Sequence, residues 1–292
     1  MAAILIDGVA AAAALNADSS HRAAGLAAQG VRPHLAVVVV GEDPASRVYV
    51  RNQERACEKA GIGSSRFMFP ADAPPATVLR CIARLNADAG VHGILVQLPL
   101  PAHFDVDEVI GAISPQKDVD GFRTDHLGAL MAGTPGFVPC TPQGVMTLLD
   151  AYGIALPGRH AVVVGRSNIV GKPLAMMMVE RGATVTVCNS RTQPLADFTR
   201  RADVLVVATG RAGLVSGDMV KPGAAVIDVG INRLPDGRIV GDVEFESVKA
   251  VAGHITPGPG GVGPMTVASL IANTVAAAEA SSAQAPRALA HH

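Results

Sequence analysis

The chain has 292 residues, 49% of them hydrophobic and 17% charged, so it can bury a substantial core and is not expected to be disordered. Its formal net charge of −1 offers no basic surface for nucleic acid and no basic run for a membrane. Cys57, Cys81, Cys140 and Cys188 form no Cys-x-x-Cys pair and no zinc-finger spacing, which predicts reduced thiols in a cytoplasmic protein and no metal site.

The N-terminal stretch MAAILIDGVAAAAAL is apolar. It lacks a basic n-region and is interrupted by Asp7, so a signal peptide is not expected. No segment approaches the ~18 uninterrupted apolar residues of a membrane helix. Short β-branched runs then alternate with helical patterns. Residues 35–41 (LAVVVVG) read as a strand, 46–60 as a helix ended by Gly61, and 67–69 (FMF) as a short strand. Residues 77–88 read as a helix, 93–97 (GILVQ) as a strand halted by Leu-Pro-Leu-Pro, and 105–113 as a helix. A second rhythm follows PCTPQG (139–144). It has a helix including 146–151, strands at 161–165, 184–188, 204–210 and 224–230, and helices at 169–181, 195–201 and 265–279. The last residues, SSAQAPRALAHH, read as a frayed tail. This βαβ alternation predicts an α/β protein: two α/β domains, meeting near residue 138 and flanking a cleft, the second Rossmann-like.

AVVVGRSNIVGKPLAMMM follows a strand and opens a helix. Gly165, Ser167 and Gly171 space as G-x-S-x-x-x-G, a variant of the dinucleotide turn. Gly165 permits the tight turn, and the backbone N–H groups at the helix start face a pyrophosphate. In an NAD site a carboxylate ends the next strand and binds the ribose hydroxyls. Here that strand ends in Asn189-Ser190-Arg191. Ser190 and Arg191 stand where a 2′-phosphate would lie, and Arg166 can reach in from the first loop. Guanidinium groups match phosphate with paired, charge-assisted hydrogen bonds, so NADP is favoured over NAD.

Seven stretches in chain order resemble the FolD-type methylenetetrahydrofolate dehydrogenase/cyclohydrolase family: GEDPASRVYV, GILVQLPLP, KDVDGF, PCTPQG, GRSNIVGKP, VIDVGIN and PGGVGPMT. The stretches span residues 41–266, and the resemblance as a whole runs from about residue 4 to 275. The resemblance implies oxidation of 5,10-methylenetetrahydrofolate to the methenyl cation with hydride transfer to NADP, then hydrolysis to 10-formyltetrahydrofolate. It implies a folate-binding catalytic domain from residues 1–137 and 269–292, a Rossmann-like NADP-binding domain from 138–268, and a homodimer. By the same resemblance Tyr49 stacks on the folate, a role its ring suits. Gln97 lies against the family's catalytic lysine, with Val96 and Leu98 beside it in the folate site. Asp120 grips the pterin's amidine-like edge, where a carboxylate accepts two parallel N–H bonds. Asp118 is read as a loop-turn residue. Gly260, Gly261, Gly263, Pro264 and Met265 line the folate pocket, and Ile231 meets the nicotinamide end through its backbone. Cys140 is read as a packed thiol, because no histidine adjoins it and the chemistry needs no thiolate.

One departure stands out. The family's helix reads Tyr-x-x-x-Lys, and here it reads Tyr49-Val50-Arg51-Asn52-Gln53. Positions 49 and 53 share a helix face. An amine there can transfer a proton during water attack, whereas Gln53 can only hold water or folate by hydrogen bonds. Hydride transfer needs alignment and no proton on that side chain. The dehydrogenase step is therefore expected to survive and the cyclohydrolase step to be slowed or lost. Arg51 and Lys59 lie about 200° and 240° around the helix from position 53, poorly placed to substitute. Gly258 and Asn189 are smaller departures. Three other readings stay open: a strictly monofunctional dehydrogenase, a catalytically silent folate- or nucleotide-binding protein, and a different Rossmann reductase. The last is disfavoured because Tyr49 precedes the cofactor turn and its lysine partner is missing.

Overall fold

The structure is a computed structural model that describes residues 3–41 and 44–284, with the side chains of residues 44–49 and 284 outside the description. In chain order the elements are β1 (Ile4–Leu5), α1 (Gly8–Ala27), β2 (His34–Val40), α2 (Pro44–Lys59), β3 (Gly63–Phe69), α3 (Pro75–Ala87), β4 (Gly93–Val96), α4 (Val106–Gly111), α5 (Thr124–Met131) and α6 (Cys140–Ala151). They continue as β5 (His160–Val164), α7 (Gly171–Glu180), β6 (Thr184–Cys188), α8 (Ala196–Thr199), β7 (Val204–Val207), β8 (Ala225–Asp228), β9 (Asn232–Arg233), β10 (Ile239–Val240), α9 (Phe245–Lys249), β11 (His254–Ile255) and α10 (Val262–Gln284).

Two compact units result. One comprises the chain up to Ala14 with Leu127–Ser269, the other Leu15–His126 with the chain from Leu270 on. The sequence suggests a division at 138 and 269. The compact units divide at 126/127 and 269/270, and the first fourteen residues join the second half of the chain because β1 pairs with β11.

The first unit holds a six-stranded sheet in the order β1-β11-β8-β7-β5-β6, every neighbouring pair parallel. β7 and β8 are buried throughout, and β5 is buried from Ala161 to Val164. Uninterrupted valine runs suit such positions because a parallel strand with both faces covered needs no polar alternation. From β5 the chain moves to β6 on one side and returns to β7 on the other. The C-terminal end of β5 is thus the switch point at which open α/β sheets bind ligands. An antiparallel hairpin, β9–β10, follows β8.

The second unit is built on a parallel three-stranded sheet, β3-β2-β4. β2 is central and buried from Leu35 to Val40, while the edge strand β3 alternates. α3 lays Val78, Cys81, Ile82 and Leu85, an i, i+3, i+4, i+7 stripe, against Ala36, Val38, Ile94 and Val96.

Several elements depart from expectation. α1 replaces the apolar leader-like stretch. Asp7, read as an interruption, is its cap, with Oδ1 accepting from Val9 N (2.9 Å) and Ala10 N (3.0 Å). α6 begins at Cys140, so PCTPQG is mostly the first turns of a helix. β3 extends back to Gly63, and α10 continues to Gln284 through the first residues of the expected tail, whose remainder lies outside the described residues. Cys140 is buried, as are the other three thiols, and burial pushes the Cys57 thiol up to about 12. Among the described residues no helix is long and apolar enough to cross a membrane.

Candidate functional site

The turn after β5 is shaped by two glycines. Gly165 has φ +130°, and a Cβ there would lie 2.2 Å from the Ala208 carbonyl oxygen. A Cβ on Gly171 would lie 2.1 Å from the Gly165 carbonyl oxygen. Strand, turn and helix start therefore approach as closely as backbone allows, which brings main-chain N–H groups to one point. Ser167 Oγ accepts from Val170 N at 3.1 Å and Gly171 N at 3.4 Å and so closes the start of α7.

Above this turn lies a cavity of about 410 Å³. Gly165, Arg166 and Ser167 form one side, Asn189, Ser190, Thr192 and Gln193 a second, and Ala208, Thr209, Arg211 and Leu214 a third. Its lining includes two guanidinium groups and no carboxylate. Among the described residues neither the Arg166 nor the Arg211 side chain has a hydrogen-bond or ion-pair partner. That donor set, over a glycine cradle a Cβ would fill, fits a phosphorylated dinucleotide.

A buried carboxylate fixes the third side. Asp242, fully buried, accepts through Oδ2 from Thr209 N (2.5 Å), Thr209 Oγ1 (2.9 Å) and Gly210 N (2.9 Å), and through Oδ1 from Asn232 Nδ2 (2.8 Å). Asp228 accepts in turn from the backbone N–H groups of Asp242 and Gly230 (2.9 Å each) and Val243 (3.1 Å). Burial pushes the Asp228 carboxyl up, and Asp242 adds to the shift against three stabilising backbone bonds. Gly230 and Gly241 leave room for this pair: a Cβ would meet Asp242 Oδ1 at 2.2 Å from one and Asp228 Oδ2 at 1.7 Å from the other.

The remaining predicted residues of this unit separate. Ser190 lines the cavity; Arg191, next to it in sequence, is exposed and absent from the lining, its N–H donating to Asn189 Oδ1 at 3.0 Å. Ile231 is 66% exposed outside the cavity, and a Cβ on Gly263 would lie 3.9 Å from its Cδ1. Gly260 has φ +101° and its carbonyl accepts from Gly8 N at 2.9 Å. Gly261 is buried against Thr256, Pro264 is half-buried, and Met265 is fully buried against Gly144 of α6. Thr209, Arg211 and Asp242 carried no signal in sequence beyond lying near strand ends.

The second unit carries the other predicted set. Gln53, on α2, is 1% exposed, and its Oε1 has no hydrogen-bond partner among the described residues. Arg51 and Lys59 are exposed on the same helix. Tyr49 lies on α2, but its side chain is outside the described residues. At the end of β4, Val96 is buried and Leu98 half-buried. Gln97 N donates to Val38 O (2.9 Å), its Nε2 donates to Leu98 O (2.9 Å), and its Oε1 lacks a partner among the described residues. A buried carbonyl without a donor costs about 1–3 kcal/mol, and both glutamine amide oxygens are in that state.

The KDVDGF loop is fixed by its other residues. Lys117 Nζ donates to the carbonyls of Leu85 (3.0 Å), Asn86 (2.9 Å) and Asp88 (2.7 Å), capping α3, and burial lowers its pKa. Asp118 is buried with Oδ2 accepting from Arg123 N at 2.9 Å, the loop-turn role read from sequence; burial pushes its carboxyl up against that bond and nearby His126. Asn273 Nδ2 donates to Val119 O at 2.9 Å. These contacts present Asp120, half-buried, from a rigid loop.

Residues 6–120 match the family model of the tetrahydrofolate dehydrogenase/cyclohydrolase catalytic domain, and residues 139–282 match that family's NAD(P)-binding domain. The bifunctional protein FolD of Bordetella avium is 61% identical over 279 residues, 96% of this chain and 98% of that protein. The FolD of Paraburkholderia xenovorans is 59% identical with the same coverage, 96% and 98%. The crystal structure of the FolD methylenetetrahydrofolate dehydrogenase/cyclohydrolase from Campylobacter jejuni superposes with TM-score 0.94 at 48% identity, covering 96% of this chain and 99% of the other. The FolD from Trypanosoma brucei, complexed with NADP cofactor and an inhibitor, gives 0.93 at 38% identity, covering 98% and 100%. With both halves matched and the glycine turn in its expected place, the chain belongs to the tetrahydrofolate dehydrogenase/cyclohydrolase family.

Proposed function

We propose that this chain oxidises 5,10-methylenetetrahydrofolate to the methenyl cation with NADP, and that hydrolysis to 10-formyltetrahydrofolate is its second, slowed activity. NADP supplies the hydride acceptor when bound. The observation that carries the reading is the turn at Gly165 and Gly171 beneath a cavity with two guanidinium groups and no carboxylate, in a chain of this family. Arg166, Ser167 and Ser190 are the residues of this chain that hold the phosphorylated end, with Ile231 at the nicotinamide end.

In the same reading residues 1–137 and 269–292 serve the folate and 138–268 the cofactor. Gln97 and Gln53 accept hydrogen bonds from substrate or water through amide oxygens that lack protein donors. Asp120 accepts the pterin's N–H edge, Tyr49 provides a stacking face, and residues 260–265 complete the pocket. Hydrolysis requires a water oxygen to add to the methenyl carbon while one of its protons leaves, after which the bond from that carbon to N5 breaks and N5 takes the second water proton, leaving the formyl group on N10. Gln53 cannot take that proton near neutrality, and Lys117 already donates to three carbonyls. The reading includes a homodimeric, cytoplasmic enzyme, and the net charge of −1 fits the absence of a nucleic-acid or membrane partner.

The test mixes purified protein, methylenetetrahydrofolate and NADP and follows NADPH absorbance, then follows the decay of the methenyl chromophore in a separate run. No NADPH formation sinks the dehydrogenase reading, and methenyl hydrolysis as fast as NADPH formation sinks the slowed second step.

A further inference from the structure

The nucleotide cavity is ringed by the ends of three adjacent strands. Arg166 follows β5, Ser190 follows β6 on one side, and Arg211 follows β7 on the other. Neighbouring strands are about 4.8 Å apart, so the ends of β6 and β7 face each other across roughly 10 Å, a gap that one phosphate and an arginine side chain fill. The root of Arg211 is fixed. Its N–H donates to Thr209 Oγ1 at 3.3 Å, and Thr209 is itself held by the buried Asp242. Its guanidinium, by contrast, has no partner among the described residues, and no carboxylate lines the cavity to neutralise it. A cation rooted on fixed backbone and left unpaired in a cavity that a serine hydroxyl also lines is free to meet a dianion there.

We infer that Arg211, together with Arg166, grips the 2′-phosphate of NADP and sets the preference for NADP over NAD, in the role that sequence adjacency to Ser190 would give to Arg191. The inference rests on the NADP reading above. Binding of NADP, NAD and 2′,5′-ADP to the full-length protein, measured by calorimetry, tests it with R211Q and R191Q. Arg211 is exposed and its guanidinium has no hydrogen-bond or ion-pair partner among the described residues, so thermal unfolding of R211Q should match the parent. R211Q is expected to bind NADP and 2′,5′-ADP about ten- to a hundredfold more weakly, with NAD affinity unchanged within about twofold, while R191Q changes none of the three by more than about twofold. An equal loss for NAD places Arg211 on the part common to both nucleotides and overturns the inference. So does an unaltered R211Q, or a loss confined to R191Q. A parent protein that binds neither 2′,5′-ADP nor NADP overturns the NADP reading itself.

Discussion

A methyl group on Gly171 would press to 2.1 Å from the carbonyl oxygen of Gly165, closer than any non-bonded contact allows. The obstructing atom is backbone and has no rotamer to escape into. Gly171→Ala is therefore expected to push α7 away from the turn, costing about 1–3 kcal/mol of stability, and to weaken NADP binding at least tenfold. Chemical unfolding and nucleotide titration of the same variant check both. Undiminished NADP affinity would show that the close approach plays no part in binding.

Asp242 gathers four donors into one buried carboxylate. Asp242→Ala leaves two backbone N–H groups and the Asn232 amide without acceptors, so about 3 kcal/mol or more of stability should disappear. Because the Thr209–Gly210 segment borders the cavity, the KM for NADP should rise more than kcat falls. Urea unfolding and steady-state kinetics at saturating folate separate the two effects; a pure kcat loss with unchanged KM would argue against a positioning role.

Gln53→Lys should restore proton transfer. The site is almost fully enclosed, and enclosure lowers a lysine pKa toward the range in which it exchanges protons. Methenyl hydrolysis is expected to rise by about 10² to 10⁴ while NADPH formation changes far less. Equal hydrolysis rates in the parent and the variant would show that the amide at position 53 imposes no block.

The imidazoles of His34 and His92 lie at one end of the three-stranded sheet, and burial lowers both pKa values below 6.5. Lys117 and His34 lower that of His92 further, while Asp88 opposes. Their folded-state pKa values lie below the unfolded value, so the unfolded chain binds protons first as pH falls. Stability is fully present above about pH 6.5 and declines on acidification toward the depressed values. Urea midpoints at successive pH values should fall below neutrality, and His92→Gln should flatten the slope. A slope unaffected by that change would place the pH dependence elsewhere.

The buried parallel strands were legible because both faces are covered and valine repeats without alternation. The glycine turn was legible because steric demand at Gly165 and Gly171 leaves a one-letter signature. α1 was obscured: a nearly featureless alanine run has little periodicity, and its cap, Asp7, reads as a break until its acceptor role is seen. β1, β9, β10 and β11 have two residues each, too short for any pattern. The Asp242 clamp joins positions about thirty apart, and nothing local announces it. Arg191 and Arg211 show the same limit from the other side. Adjacency to Ser190 singles out the first, whereas strand order delivers the second to the cavity.

The two residues of β1 sit beside β11 in register, Ile4 opposite His254 and Leu5 opposite Ile255. On the ribosome the start of the chain emerges first, and its partner strand is translated some 250 residues later. The sheet beyond β8 therefore stays unpaired until β11 has been translated, and β1 can take its place on the outer edge only after that.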